Sequence, residues 1–192
     1  ESAAVYFRDL NNGPYFGIHE KDPFVPASLL KLPVLLMYLD AAEDDPELLA
    51  QQLELRGEGG EFPEPFFKPK EIIELNRSYT VNELIRRMIV YSDNRAYDAL
   101  IMFFGKDRIF DTLHELGLTV GDDIENLTFS AKSYAALFRS LYNASYLSKE
   151  LSQKALSFLA SAEFEGMAGG VSDTVAVAHK FGERFTKDGV RQ

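Results

Sequence analysis

The sequence predicts a mixed α/β (α+β) fold, an antiparallel sheet packed with helices beside an all-helical lobe. Three observations predict it. The N-terminus alternates apolar and polar residues on either side of a turn. Six later stretches carry apolar residues at helical spacing between Ser, Thr, Gly or Pro boundaries. Near the C-terminus, the Val- and Ala-rich run TVAVAHKFG reads as a strand. Strands at both ends with helices between them suggest one sheet built from the two termini. A sheet lobe at 1–44 and 171–192 and a helical lobe at about 45–170 would then form a single domain over 1–192. A chain of 192 residues, 46% hydrophobic, can bury a core of that kind.

The elements follow in order. AAVYFRDL sets Ala3, Val5 and Phe7 on one side of a half-buried strand. NNGP is the turn, because Asn12 and Gly13 tolerate positive φ, and YFGIHEK returns as the second strand. FVPASLLKLPVLLMYL, Phe24 to Leu39, continues as a helix to about Glu43, with Asp44, Asp45 and Pro46 marking its end. GEGGEFPEPFFKPK holds three glycines and three prolines and is a loop, which Phe62, Phe66 and Phe67 are expected to pin down. In YTVNELIRRMIVYS, Thr80 is an N-cap with Glu83 three residues on, and Val81, Leu84, Ile85, Met88 and Ile89 form an apolar stripe. DNRAYDALIMFFG and KDRIFDTLHELG are two helices stopped by Gly105 and Gly117. SAKSYAALFRSLYN and SKELSQKALSFLAS are two more, the second capped by Ser148, and MAGGVSD is a turn region before the last strand.

Composition narrows the function. The formal charge is −10 and the pI about 4.8, which disfavours nucleic acid or an anionic membrane as partner. The absence of cysteine excludes disulfides, thiolate metal sites and cysteine nucleophiles. His19, His114 and His179 are far apart and form no metal-ligand pair, so chemistry without a metal or other cofactor is expected. No window approaches the ~20 apolar residues of a membrane span. These features leave open whether a small molecule or a peptide is bound or acted on.

The chemistry begins in the long apolar stretch. Of thirteen serines, only Ser28 has a lysine three residues later, Lys31. Positions i and i+3 share a helix face, so the amine can reach the hydroxyl. A lysine takes a serine's proton only when neutral, which requires burial and is helped by a second cation. Two polar residues opening a core helix are the plainer reading of the same pair. YSDN, Tyr91 to Asn94, lies at a junction of two helices. The plainer reading is a cap, with Ser92 or Asp93 starting the next helix; in the functional reading Ser92 would relay a proton between base and leaving group, Asn94 would offer its amide to substrate and to Lys31, and Asp93 would hold the turn. HKFG, His179 to Gly182, ends the late strand; it reads either as a plain strand end, with the lysine reaching solvent and the glycine starting a turn, or as function, with Lys180 as the second cation. Gly182 would let a substrate approach the backbone, and the N–H groups of Glu183 and Ser28 would form an oxyanion hole.

Ser-x-x-Lys, then Ser-Asp-Asn, then Lys-x-Gly is the motif order of the penicillin-recognising serine enzymes. The sequence resembles them, and most closely the class A β-lactamase branch, from about Val5 to Gly182. VPASLLKLPVLLMYL resembles that branch's nucleophile helix and MIVYSDNRAYDALI its Ser-Asp-Asn segment. The resemblance implies a single catalytic domain with the site between its lobes. It also implies a serine hydrolase forming an acyl-enzyme on a β-lactam or a D-amino-acid, peptidoglycan-type peptide, and an extracytoplasmic location. Catalytic roles would fall to Ser28, Lys31 and Ser92, and substrate contacts to Asn94, Lys180, Phe181, Gly182 and Glu183.

Three departures from the family qualify those expectations. LTVGDDIENLTF, Leu118 to Phe129, is too short for the family's water-positioning loop. Glu125 is a candidate substitute, against the reading of Asp122, Asp123 and Glu125 as a solvated acidic turn. A penicilloyl-enzyme is therefore expected to persist. The last motif is Lys-Phe-Gly, without the hydroxyl that would bond a substrate carboxylate, which brings an esterase, an amidase or a non-catalytic sensor into view. The chain also ends soon after the motif strand, so the natural protein is expected to be longer, with its final segment pairing against Thr174–Gly182.

Overall fold

The hairpin predicted at the N-terminus forms, but it is not half-buried as expected: Val5, Phe7, Phe16 and Ile18 are all exposed. β1 (Val5–Arg8) pairs antiparallel with β2 (Tyr15–Ile18), in a register that sets Val5 against Ile18 and Phe7 against Phe16. The Phe7 and Phe16 rings stack at 5.4 Å, an interaction characteristic of cross-strand pairs. This computed structural model describes residues 3–11, 13–56, 67–71, 73–118, 127–164, 166, 168–172 and 174–183. A second, shorter pair joins β3 (Gln52–Glu54) to β4 (Ser78–Thr80), flanking the loop rich in glycine and proline.

The centre of the molecule is α1 (Lys31–Asp44), whose residues from Lys31 to Leu39 are all buried. A helix apolar on every side belongs inside a protein, with other helices around it. It contacts α2 (Val81–Val90), α4 (Lys106–Glu115) and α6 (Lys149–Ala160), while α3 (Asn94–Phe104) packs on α2 and α4, and α5 (Ala131–Tyr142) on α6. The buried Tyr38 hydroxyl donates to the Leu100 carbonyl at 2.7 Å, so its polar end is not orphaned. The stripe expected on α2 is wholly buried, and the Thr80 side chain caps the helix by accepting from the Glu83 N–H. Gly105 and Gly117 both take positive φ, +83° and +69°, and end α3 and α4 as expected.

Two further expectations change. Residues 174–183 form no strand, and β1–β2 remains a two-stranded sheet among the described residues. An extended run becomes a strand only when a neighbour completes its ladder. Here the run turns elsewhere: His179 N–H donates to the Leu159 carbonyl at the end of α6. The second change is at the start of α1. The turn Ala27–Leu30 is a 3-10 helix, and α1 begins only at Lys31. Of the aromatic residues expected to pin the loop, Phe67 does so against Phe164 and Phe181. Phe62 and Phe66 lie outside the described residues, as do Glu125, Asn126 and the segment from 184 onward.

Candidate active site

Ser28 is held by a tightened turn. In a 3-10 helix the side chains at i and i+3 eclipse, so Ser28 and Lys31 stack more closely than in an α-helix. The Lys31 Nζ lies 3.1 Å from the Ser28 Oγ. The turn is entered through Ala27 at φ +47°, an uncommon conformation for a residue with a Cβ. It is fixed from outside by α5, whose Tyr134 hydroxyl donates to the Leu29 carbonyl at 3.1 Å. The chain before it is tied by a reciprocal backbone bridge between Phe24 and Phe129, at 2.8 and 2.9 Å.

YSDN forms the junction between α2 and α3. Asp93 caps α3, its Oδ1 accepting from the Arg95 and Ala96 N–H groups at 2.8 and 3.1 Å. Ser92 sits at φ +54°. In that conformation both its oxygens face Lys31, the carbonyl at 2.6 Å and the hydroxyl at 3.2 Å. Asn94, in the first turn of α3, brings its Oδ1 to 2.6 Å from the same amine.

Lys31 therefore meets four acceptor oxygens while being only 2% exposed. An ammonium has three protons to give and no lone pair. A neutral amine would give its two protons to the two partners at 2.6 Å and keep its lone pair for a hydroxyl proton. Burial drives the Lys31 pKa down from 10.5 to about 8, opposed by the negative charges of Asp93, Asp98 and Glu183. Lys180 reaches the other side of Ser92, its Nζ 2.9 Å from the Oγ, and also donates to the Phe181 carbonyl at 2.7 Å. Burial and then repulsion from Lys31 hold Lys180 well below its ordinary pKa. Burial is thus the largest cause favouring a neutral Lys31.

Gly182 places the last motif against the serine turn. A Cβ there would stand 3.1 Å from both the Pro26 carbonyl oxygen and the Leu29 Cγ. Ser28, Lys31, Ser92, Asn94 and Lys180 are thus joined by direct contacts, with Gly182 packed on the turn. Phe181 lies under the Lys180 ammonium, its ring centre 4.4 Å from Nζ, and stacks on Phe164 at 4.4 Å. The Glu183 carboxylate faces the Phe67 N–H at 3.5 Å. No cluster of three His, Asp or Glu side chains suited to a metal occurs among the described residues.

Sequence reasoning missed Tyr134, Phe164 and Asp98. Tyr134 and Phe164 act across the fold, over sequence distances that no local pattern reports. Asp98 was visible as the residue one helical turn after Asn94, on the same face of α3.

The sequence pattern of the Beta-lactamase enzyme family matches residues 1–188. The chain belongs to that family. No curated protein matches it. Among solved structures, PBP-A is similar at 22% identity and TM-score 0.79, over 94% of this chain and 71% of its own. A PBP-A variant captured as an acyl-enzyme complex with penicillin G gives 22% identity and TM-score 0.80, over 99% of this chain and 78% of its own. A beta-lactamase from Chitinophaga pinensis gives 20% identity and TM-score 0.80, over 98% and 75%. Identities this low show a shared fold, and with the family match they make the chain a β-lactamase-like serine enzyme. No helix among the described residues is long and apolar enough to cross a membrane.

Proposed function

We propose that this protein is a serine acyl-enzyme in which Ser28 is the nucleophile and Lys31 its base. The observation that carries the reading is the coordination of Lys31: a buried amine with more acceptors than an ammonium has protons, one of them the Ser28 hydroxyl. In the acylation step the Ser28 Oγ bonds to an acyl carbonyl carbon and its proton passes to Lys31. Ser92, touched by both lysines, hands a proton to the leaving atom as its bond to the carbonyl carbon breaks. The Ser28 and Glu183 N–H groups receive the oxyanion, and Asn94 orients both Lys31 and the substrate.

Two substrate classes fit this chemistry. One is β-lactams or D-amino-acid peptides of the cell envelope, supported by family membership and by the penicillin G adduct of the PBP-A variant, and it carries an extracytoplasmic location with it. The other is a different ester or amide, favoured by Phe181 in place of a hydroxyl residue. In either class slow deacylation is expected, because the sequence from 118 to 129 is too short for the family's water-positioning loop. Incubation with penicillin G and with a small activated ester, followed over time by intact mass spectrometry, tests the reading. A mass gain that outlasts free substrate with at least one of them supports it. Acylation with turnover too fast to trap contradicts slow deacylation, and no adduct and no hydrolysis with either contradicts the function.

A further inference from the structure

Three phenylalanines far apart in sequence converge beside the relay serine. Phe181 packs on Phe164 at 4.4 Å and on Phe67 at 5.1 Å, and Phe67 meets Phe164 edge-on at 6.2 Å. None of the three belongs to the hydrophobic core or packs against it. All three keep part of their surface open. A partly open satellite of aromatic rings, separate from the core and joined to the Ser92 hydroxyl through Lys180, offers apolar surface to a ligand group.

The position of the cluster tells which part of a substrate it meets. Lys180 lies over the Phe181 ring and against the Ser92 hydroxyl. Ser92 serves the leaving atom in the acyl-enzyme reading, so the rings border the leaving-group side. The polar groups there do not suit an anion. Phe181 offers no donor from its side chain, and the Lys180 amine is committed to Ser92 and to the Phe181 carbonyl. Three carboxylates, of Asp93, Asp98 and Glu183, act on the Lys31 charge from nearby. An uncharged aromatic or alkyl leaving group would gain ring contacts at this wall. A carboxylate would lose water and meet, in Lys180 and Phe181, no uncommitted donor.

We infer that Phe67, Phe164 and Phe181 form an aromatic leaving-group subsite that selects uncharged, apolar esters or amides over substrates whose leaving group carries a carboxylate. This rests on Ser28 being the nucleophile. The reaction is then ordinary acyl transfer: the Oγ–carbon bond forms as the Ser28 proton passes to Lys31, the carbon–oxygen bond of an ester or the carbon–nitrogen bond of an amide breaks, and the alcohol or amine departs with the proton relayed by Ser92.

A matched pair of phenyl esters tests the inference on the full chain. Methyl 4-acetoxybenzoate has a neutral leaving group and 4-acetoxybenzoate a charged one. The neutral ester should acylate at least about tenfold faster in kcat/KM. Phe181→Thr should cut that preference toward unity, whereas Phe181→Leu should keep most of it. Phe164→Ala should weaken it without touching Phe181. A purely structural role would lower both rates together and leave their ratio unchanged. A wild-type ratio at or below one, or a ratio that none of the three substitutions moves, overturns the subsite while leaving Ser28 acylation standing. Acetylation by neither ester, or acetylation that persists in Ser28→Ala, overturns the acyl-enzyme reading itself.

Discussion

The pH profile of acylation should report the proton on Lys31. The amine is buried, and burial lowers its pKa from 10.5 to about 8. A base with that pKa is about 1% neutral at pH 6, about 10% at pH 7 and half neutral at about pH 8. The second-order rate constant for acylation should therefore climb about tenfold per pH unit below 8 and level off above about pH 9. The assay is the initial acylation rate with a neutral activated ester at constant ionic strength, with spontaneous hydrolysis subtracted. Lys180→Ala separates the two amines. It should slow the reaction, because Ser92 loses a partner, yet leave the rising limb in place, because burial is the main cause of the Lys31 shift. A flat profile between pH 6 and 9, or an inflection near the ordinary lysine value, would refute the assignment of Lys31 as base.

Other consequences concern stability as well as rate. A lysine whose folded pKa lies below its unfolded value destabilises the fold at low pH. That penalty, on the order of 3 kcal/mol for Lys31, is complete below about pH 8 and disappears as pH rises toward 10.5. Urea unfolding should accordingly show wild type gaining stability between pH 7.5 and 9.5 relative to Lys31→Met. Ser92→Gly relieves a positive φ and should stabilise the fold by about 1 kcal/mol while lowering acylation about a hundredfold through loss of the hydroxyl. Ser92→Ala should lose the same activity without that stability gain. Asp93→Ala removes the cap of α3 and should cost about 1 kcal/mol in thermal unfolding, with a further fall in acylation as Asn94 shifts. Tyr134→Phe should cost about 1 kcal/mol and slow acylation, since the Ser28 turn loses its anchor on α5.

The parts of this structure legible in sequence are those governed by local rules. The buried stripe of α2 and its Thr80 cap, the glycine stops after α3 and α4, and the N-terminal hairpin each follow from periodicity or turn chemistry within a few residues. The polar constellation was legible too, because its three motifs are compact and their order is distinctive. Long-range pairing was not. Nothing near Phe24 announces its bridge to Phe129, and nothing near Gln52 announces pairing with Thr80 across the loop. The run from Thr174 to Gly182 has strand composition, but a strand is a property of two segments, and among the described residues no ladder forms on it. The 3-10 turn at Ser28 was missed because Pro33 and the apolar run read as one continuous helix. That detail matters chemically, since it eclipses the hydroxyl with the amine. The aromatic subsite is the sharpest case. Phe181 was a visible departure, but its partners Phe67 and Phe164 sit 114 and 17 positions away.

The claim on which the rest depends is that Ser28 becomes covalently acylated. Peptide mapping by tandem mass spectrometry, after brief exposure to methyl 4-acetoxybenzoate, tests it most directly. The account predicts one acetyl group, located on Ser28 and absent from Ser28→Ala. Acetyl groups spread over surface lysines with Ser28 unmodified would contradict it.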